Sequence, residues 1–372
     1  MKNRISGLNI IKIIATVLIL MHHYQQFMYF WMEGKVNFVD GNFYFGYIVE
    51  LFFMISGILA WNSYENMGES LKGTENVFCL GSFGDYMKRK FIRFFPTCFI
   101  STTFLFVMQW ILYFTTGRPT LWDVPTVLDY FLSILFLDTG WGLGRFIGAT
   151  HITWYISVLL ILYAVFWCVC YICRKNKKNV VYVSFALMIL GIGLATHEEL
   201  LFGKDYPFFN VEVGRGLMGF FLGIVVFYLL QNYERVMKVF SYVGIPMVAL
   251  ALIYDYVTCG SIQNPLIGST YLSVVFIMYP AVITICMTST LIKRISDIKV
   301  MDYVEKLSFS AYIWQFNFLL IIMRIRDDFA IQINQGYKAM IIYVIAVFVI
   351  CIPIYQFIEI PLTKAVKNRT TN

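Results

Sequence analysis

Charged residues are scarce in this chain. Asp, Glu, Lys and Arg together make 14% of its 372 residues, where a soluble globular protein carries about 25%. Apolar residues make 59%, against about 45–50% in an ordinary domain. So little polarity excludes a disordered chain, which lacks the apolar surface needed to collapse. Cysteine is sparse too, with 8 in the whole chain, which excludes a disulfide-stapled scaffold. Apolar–polar alternation over segments of about ten residues is missing, and with it the signature of a membrane β-barrel. Stretches between apolar runs never exceed about thirty-six residues, too short for a soluble domain. What remains is Phe (35), Tyr (25) and solid aliphatic blocks, with a mean hydropathy of +0.70. The chain reads as an all-α, polytopic membrane protein forming one domain, and its net charge of +7 as a matter of membrane orientation rather than nucleic-acid binding.

A spanning helix needs about 17–25 mainly apolar residues. Such runs lie at 10–30, 43–62, 94–115, 152–173, 180–197, 214–231, 240–257, 270–292, 305–323 and 338–358. An eleventh, 124–138, is short and carries Asp129. Basic residues collect on the cytoplasmic side and decide whether it spans. With ten spans and both termini inside, Lys35, Arg118, Arg145, Lys204, Arg215, Arg324, Arg326 and Lys338 face outward, leaving 21 of the 29 Lys and Arg inside. A spanning 124–138 would carry Arg174, Lys175, Lys177 and Lys178 outside and reverse every later loop. Residues 124–138 are therefore expected to be re-entrant or interfacial, within an external segment 116–151. The first apolar run is too long for a cleavable signal and no small-residue cleavage site follows it. No internal repeat of the inverted-transporter kind is visible. Asn368 with Thr370 fits a glycosylation pattern, but the expected cytoplasmic position cancels it.

Ionisable groups within a bilayer are expensive and are usually functional. In the middle of the ten runs only His22, His23 and Glu50 occur. His23 and Glu50 each lie seven residues from the outer end of their run, which at 1.5 Å per residue is about 10 Å deep. Gln315, eight residues from the outer end of its run, falls at nearly the same level. A histidine beside a carboxylate suits proton transfer, with the carboxylate holding the ring. A catalytic pair, the relay of a proton-coupled transporter and a structural lock between helices all fit this depth. Lys12 and His23 are eleven residues apart, a rotation of about 20° and a rise of about 16 Å, so they share one helix face. His22 is turned about 100° away and reads first as a neighbour on another face. Cys168, Cys170 and Cys173 read as small apolar packers, with no metal expected. His151 reads as interfacial, and His197, beside Glu198 and Glu199, as facing water.

The stretch Lys12-Ile-Ile-Ala15 followed by His23 resembles the basic-x10-His signature of the acyltransferase 3 family of membrane proteins. Further blocks occur in the family's order. They are Glu50-Leu-Phe-Phe-Met-Ile-Ser56-Gly57; Lys90-Phe-Ile-Arg93-Phe-Phe-Pro96; Trp154-Tyr-Ile-Ser157 with Tyr163; Phe220-Phe-Leu-Gly223; Ser308-Phe-Ser-Ala-Tyr312-Ile-Trp314; and Ile358-Glu359-Ile-Pro361. The resemblance covers the whole chain. Three positions depart from the pattern: Lys12 stands where Arg is commoner, Leu159 and Leu160 replace a frequent Glu, and Gln315 replaces a His.

The resemblance implies a membrane-embedded O-acyltransferase. It would carry an acyl group, usually acetyl, from an acyl-CoA donor to a hydroxyl, typically on a cell-surface glycan. Acyl-CoA would be a donor substrate rather than a resident cofactor, and membrane lipid and a lipid-linked sugar or glycan would be the other partners. His23 would be the general base, with Glu50 orienting it and His22 beside it. Arg89, Lys90 and Arg93, with Lys12 nearby, would hold the donor's phosphates. Pro96 would then open the third helix. Trp154, Tyr155, Tyr312 and Gln315 are the expected substrate-binding positions. Some relatives append an extracytoplasmic serine-esterase domain; none is expected here, so no serine relay within the same polypeptide is available. The expected location is the cell membrane.

Overall fold

The computed structural model describes residues 5, 7–32, 46–70, 80–119, 123–143, 149–150, 152–197, 206–259, 269–329 and 337–371. Lys35, Arg145, His151, Glu198, Glu199 and Lys204 lie outside the described residues. The elements are α1 (Leu8–Met32), α2 (Ile48–Ser70), α3 (Phe83–Thr116), α4 (Val127–Ile134), α5 (Trp154–Ile172), α6 (Lys177–Thr196), α7 (Val211–Asn232) and α8 (Glu234–Cys259). Then α9 joins Ser269–Ser273, a π-helical turn Val274–Met278 and Tyr279–Thr288. After it come α10 (Thr290–Ser296), α11 (Lys299–Phe329) and α12, in which Tyr337–Ile354 passes through a π-helical turn, Tyr355–Glu359, into Ile360–Thr371. Among the described residues nine helices are long and apolar enough to cross a membrane. The helix α2 falls short because Glu50, Asn62 and Glu65 dilute it, yet Phe53, Met54 and Ile58 are fully buried in the bundle. It is the tenth.

The stretch expected to be re-entrant forms only α4, eight residues long, which cannot span. Its start is fixed by a capping box between Thr126 and Asp129. Two expectations need correction. Pro96 does not open α3, which begins at Phe83 and holds Pro96 in its fourth turn. Ser82 caps it, accepting from the Asp85 amide at 3.2 Å and donating to Asp85 Oδ2 at 2.6 Å. The first turns, with Asp85, Lys88, Arg89 and Lys90, are too polar to register as an apolar run. The run 270–292 is not one helix either: it breaks at Ser289, whose ψ of 121° is extended and which caps α10.

The central crossing is between α2 and α7. A Cβ on Gly57 would fall 1.9 Å from the carbonyl oxygen of Phe220, and one on Gly223 would fall 2.1 Å from that of Met54. The two backbones therefore touch, as small residues allow in membrane helices. Glu50 meets Arg215 while Gly57 meets Phe220, so α2 and α7 run in the same direction. The start of α5 is held by the segment before it. Ser157 Oγ lies 2.7 Å from the carbonyl oxygen of Phe136 and 2.6 Å from that of Thr139. Thr153 donates to the buried carboxylate of Asp138, whose carboxyl burial pushes up to about 7.

Candidate active site

A cavity of about 280 Å³ opens at one end of the bundle. Lys12, Arg93, Glu305 and Lys306 stand at its mouth, and Ile55, Leu59, Phe94, Leu159 and Phe309 make its apolar walls. Six helices supply the lining because each turns one stripe inward, α3 giving Arg93 and Phe94 and α12 giving Tyr355. Lys12 and Thr16 come from α1, and Phe52, Ser56 and Leu59 from α2. Tyr155, Leu159 and Tyr163 come from α5, and Glu305, Ser308 and Tyr312 from α11.

The inner end is closed by three rings. Phe52, Tyr155 and Tyr312 lie 6.1–6.2 Å apart, centroid to centroid, in each pairing. Such spacing is contact distance for aromatic rings. The Tyr155 hydroxyl is 3.3 Å from Ser56 Oγ, which places two hydroxyls at this floor.

One helical turn beyond Tyr312 lies the half-buried His23. Its Nδ1 is 2.8 Å from Gln315 Oε1, and Gln315 Nε2 donates to the Tyr312 carbonyl at 2.8 Å. Phe316 meets the imidazole edge-on, with centroids 5.1 Å apart. His22 is buried, its ring centroid 5.4 Å from that of His23.

The carboxylate of Glu50 is taken by other partners, which corrects the expectation that it holds His23. Arg215 Nε donates to Oε1 and its terminal nitrogen to Oε2 at 3.1 Å. That nitrogen also donates to the carbonyl of Gly46 at 2.8 Å, and the Tyr271 hydroxyl donates to Glu50 Oε1 at 2.7 Å. A buried carboxylate requires such charge-assisted donors, and a neutral imidazole is a weaker partner than a guanidinium fork. The Arg215 guanidinium also lies 5.3 Å from the Trp154 ring.

The four expected donor-binding residues separate. Arg93 lines the mouth, with no acidic partner among the described residues. Lys12 lines it as well but is ion-paired with Glu305 at 2.6 Å. Arg89 donates to the Leu80 carbonyl at 2.9 Å, and Lys90 sits 4.0 Å from the Tyr163 ring centroid; neither is in the cavity lining. Among the expected substrate-binding residues, Tyr155 and Tyr312 line the cavity, Gln315 holds His23, and Trp154 lies against Arg215.

Three buried or lining groups escaped sequence reasoning. Arg215 counted as an outward-facing charge, Lys306 had no expected site role, and Glu359 stood only within the block Ile358-Glu359-Ile-Pro361. Glu359 accepts from Ser310 at 2.6 Å and from Trp314 Nε1 at 3.1 Å, tying the middle of α11 to the π-helical turn of α12. The start of Arg215's apolar run at residue 214 was the available signal, since a charge one residue inside a span needs a buried partner. Cys170 and Cys173 are buried and Cys168 is exposed, so the three do not share one surface.

A family model described as an acyltransferase domain matches residues 5–356. No curated protein matches the chain, and no solved structure does.

Proposed function

The chain belongs to the acyltransferase 3 family and is a multi-pass membrane acyltransferase; from that membership we propose that it carries an acyl group, acetyl foremost, from acyl-CoA to a hydroxyl of a cell-surface glycan or related acceptor. One observation carries this reading. Lys12 and Thr16 line the cavity, and His23, seven residues beyond Thr16, lies within about 20° of Thr16's face and about 10 Å deeper. His23 is not itself among the cavity's lining residues; in this reading the donor's phosphates rest by Arg93 at the mouth and its thioester reaches past the ring-lined floor toward the histidine.

The chemistry follows from these groups. The His23 ring takes the acceptor hydroxyl's proton as that oxygen attacks the thioester carbonyl. The carbon–sulfur bond then breaks, and the imidazolium returns the proton to the leaving thiolate of coenzyme A. Tyr155 and Ser56 place two hydroxyls at the floor of the cavity. The rival reading is a proton-coupled transporter relaying through His23 and Glu50. It loses its pair, because Glu50 is engaged by Arg215 and Tyr271.

The test supplies purified protein in proteoliposomes with acetyl-CoA labelled in the acetyl group and with envelope glycan from the expressing cell. Label passing to glycan, with equimolar release of free coenzyme A, supports the reading. Intact acetyl-CoA together with proton-driven solute uptake overturns it in favour of the transporter.

A further inference from the structure

The geometry points to Gln315 as the residue that sets the tautomer of His23, so that the neutral ring holds its hydrogen on Nδ1 and offers a bare Nε2 to the acceptor hydroxyl. This deepens the acyl-transfer reading and rests on it for its catalytic meaning. An amide side chain has a donor end and an acceptor end. The Nε2 end of Gln315 lies 2.8 Å from the carbonyl oxygen of Tyr312, an atom that only accepts. That contact leaves the Oε1 end for His23, at 2.8 Å from Nδ1. Because Oε1 cannot donate, the hydrogen in this bond must come from Nδ1. A neutral imidazole has one N–H, so the lone pair is on Nε2.

The surroundings keep this arrangement in place. The Tyr343 hydroxyl donates to the backbone carbonyl of Gln315 at 3.1 Å, anchoring the turn of α11 that carries the amide. Phe316 abuts the imidazole. On its own helix the ring faces His22; α11 brings Gln315; α12 brings Tyr343, which packs at a tilt against Tyr24; and Glu50 of α2 is held elsewhere, by Arg215 and by Tyr271 of α9. Lys12 and Glu305 pair with each other at the cavity mouth, eleven residues from His23 along α1. A neutral amide therefore fixes the tautomer without adding the charge a carboxylate would bring. In transfer, Nε2 takes the hydroxyl proton as the new carbon–oxygen bond forms. The imidazolium keeps its Nδ1 bond to Gln315 and hands the Nε2 proton to the thiolate as the carbon–sulfur bond breaks. Gln315 acts through His23 and is a positioning residue.

Nitrogen-15 NMR of histidine-labelled protein tests this directly, since the chain has four histidines and single replacements assign them. The hydrogen of neutral His23 should reside on Nδ1 in wild type and in Gln315→Glu, and Gln315→Leu should give a mixture. A wild-type ring with its hydrogen on Nε2 overturns the assignment, whether or not the protein transfers acetyl. In the acetyl-transfer assay Gln315→Leu should lower kcat by about 10²-fold, short of the about 10⁴-fold that a wrong tautomer costs a serine-protease triad, with KM for acetyl-CoA within about twofold. Gln315→Glu keeps the acceptor but favours the protonated ring, so its acid limb should move to higher pH by about 1–3 units. An unmoved limb in an active Gln315→Glu would also overturn the assignment. If every variant and the wild type fail to transfer acetyl, the acyl-transfer reading fails, and the NMR still decides the tautomer.

Discussion

The carboxylate of Glu50 belongs to Arg215, 165 residues later in the chain, and not to His23. The pair joins α2 to α7 just beside the glycine crossing, and Tyr271 adds α9. Glu50 and His23 share a depth but do separate work: Glu50 holds helices, and His23 lies beside Gln315, beyond the residues that line the cavity.

Removing one partner of a buried pair leaves an uncompensated charge and costs about 3–5 kcal/mol. Arg215→Ala and Glu50→Ala should both lower the melting temperature markedly, and the double variant should lose less than the sum. Thermal unfolding in detergent checks this. Equal stability of Arg215→Ala and wild type would show that the pair is not what joins these helices.

Gly57→Ala should be poorly tolerated although it adds one methyl group. The new Cβ meets backbone at 1.9 Å, and backbone cannot rotate away as a side chain can. Overpacking of this kind costs about 1–3 kcal/mol or more. Yield of monodisperse protein by size-exclusion chromatography should fall well below that of Gly193→Ala, a helical glycine with open space beside it.

Arg93→Ala should weaken coenzyme A binding about 10- to 100-fold, as loss of a hydrogen bond to a charged group does. Arg93→Lys should recover part of it, since the guanidinium fork matches phosphate geometry. Arg89→Ala and Lys90→Ala should do less, because their side chains are committed to the Leu80 carbonyl and the Tyr163 ring. Calorimetry distinguishes the three. Unchanged affinity in Arg93→Ala would return this basic cluster to a purely topological role.

The spans were legible because membrane helices announce themselves as apolar blocks, and the common depth of His23 and Gln315 followed from counting residues at 1.5 Å each. What was not legible was pairing between distant helices. Depth placed Glu50 beside His23 equally well, but rotation about each helix axis decides contacts, and Arg215 looked like an outward-facing charge because it stands at the edge of its run. The true start of α3 was hidden for a different reason. Its first turns are amphipathic and charged, although Ser82 followed by Asp85 has the spacing of an N-terminal cap.

Charge distribution predicts that both termini and residue 176 are cytoplasmic and residue 118 external. A membrane-impermeant thiol reagent applied to intact cells should label a cysteine introduced at 118 and spare one at 176. The two introduced sites are read against a background in which Cys168 is exposed, so Cys168→Ser serves as the parent. Labelling at 176 from outside would reverse the orientation of α5 and every later helix.

Acetyl transfer by His23→Ala, beside His22→Ala and wild type, is the most direct measurement of whether this membrane acyltransferase works through the histidine beyond its cavity. His23→Ala should remain monodisperse and bind coenzyme A as wild type does, while transfer falls about 10²–10⁴-fold, the usual cost of losing a general base; His22→Ala should be milder. Wild-type transfer by His23→Ala, or loss confined to His22→Ala, would contradict the assignment of His23 as the base.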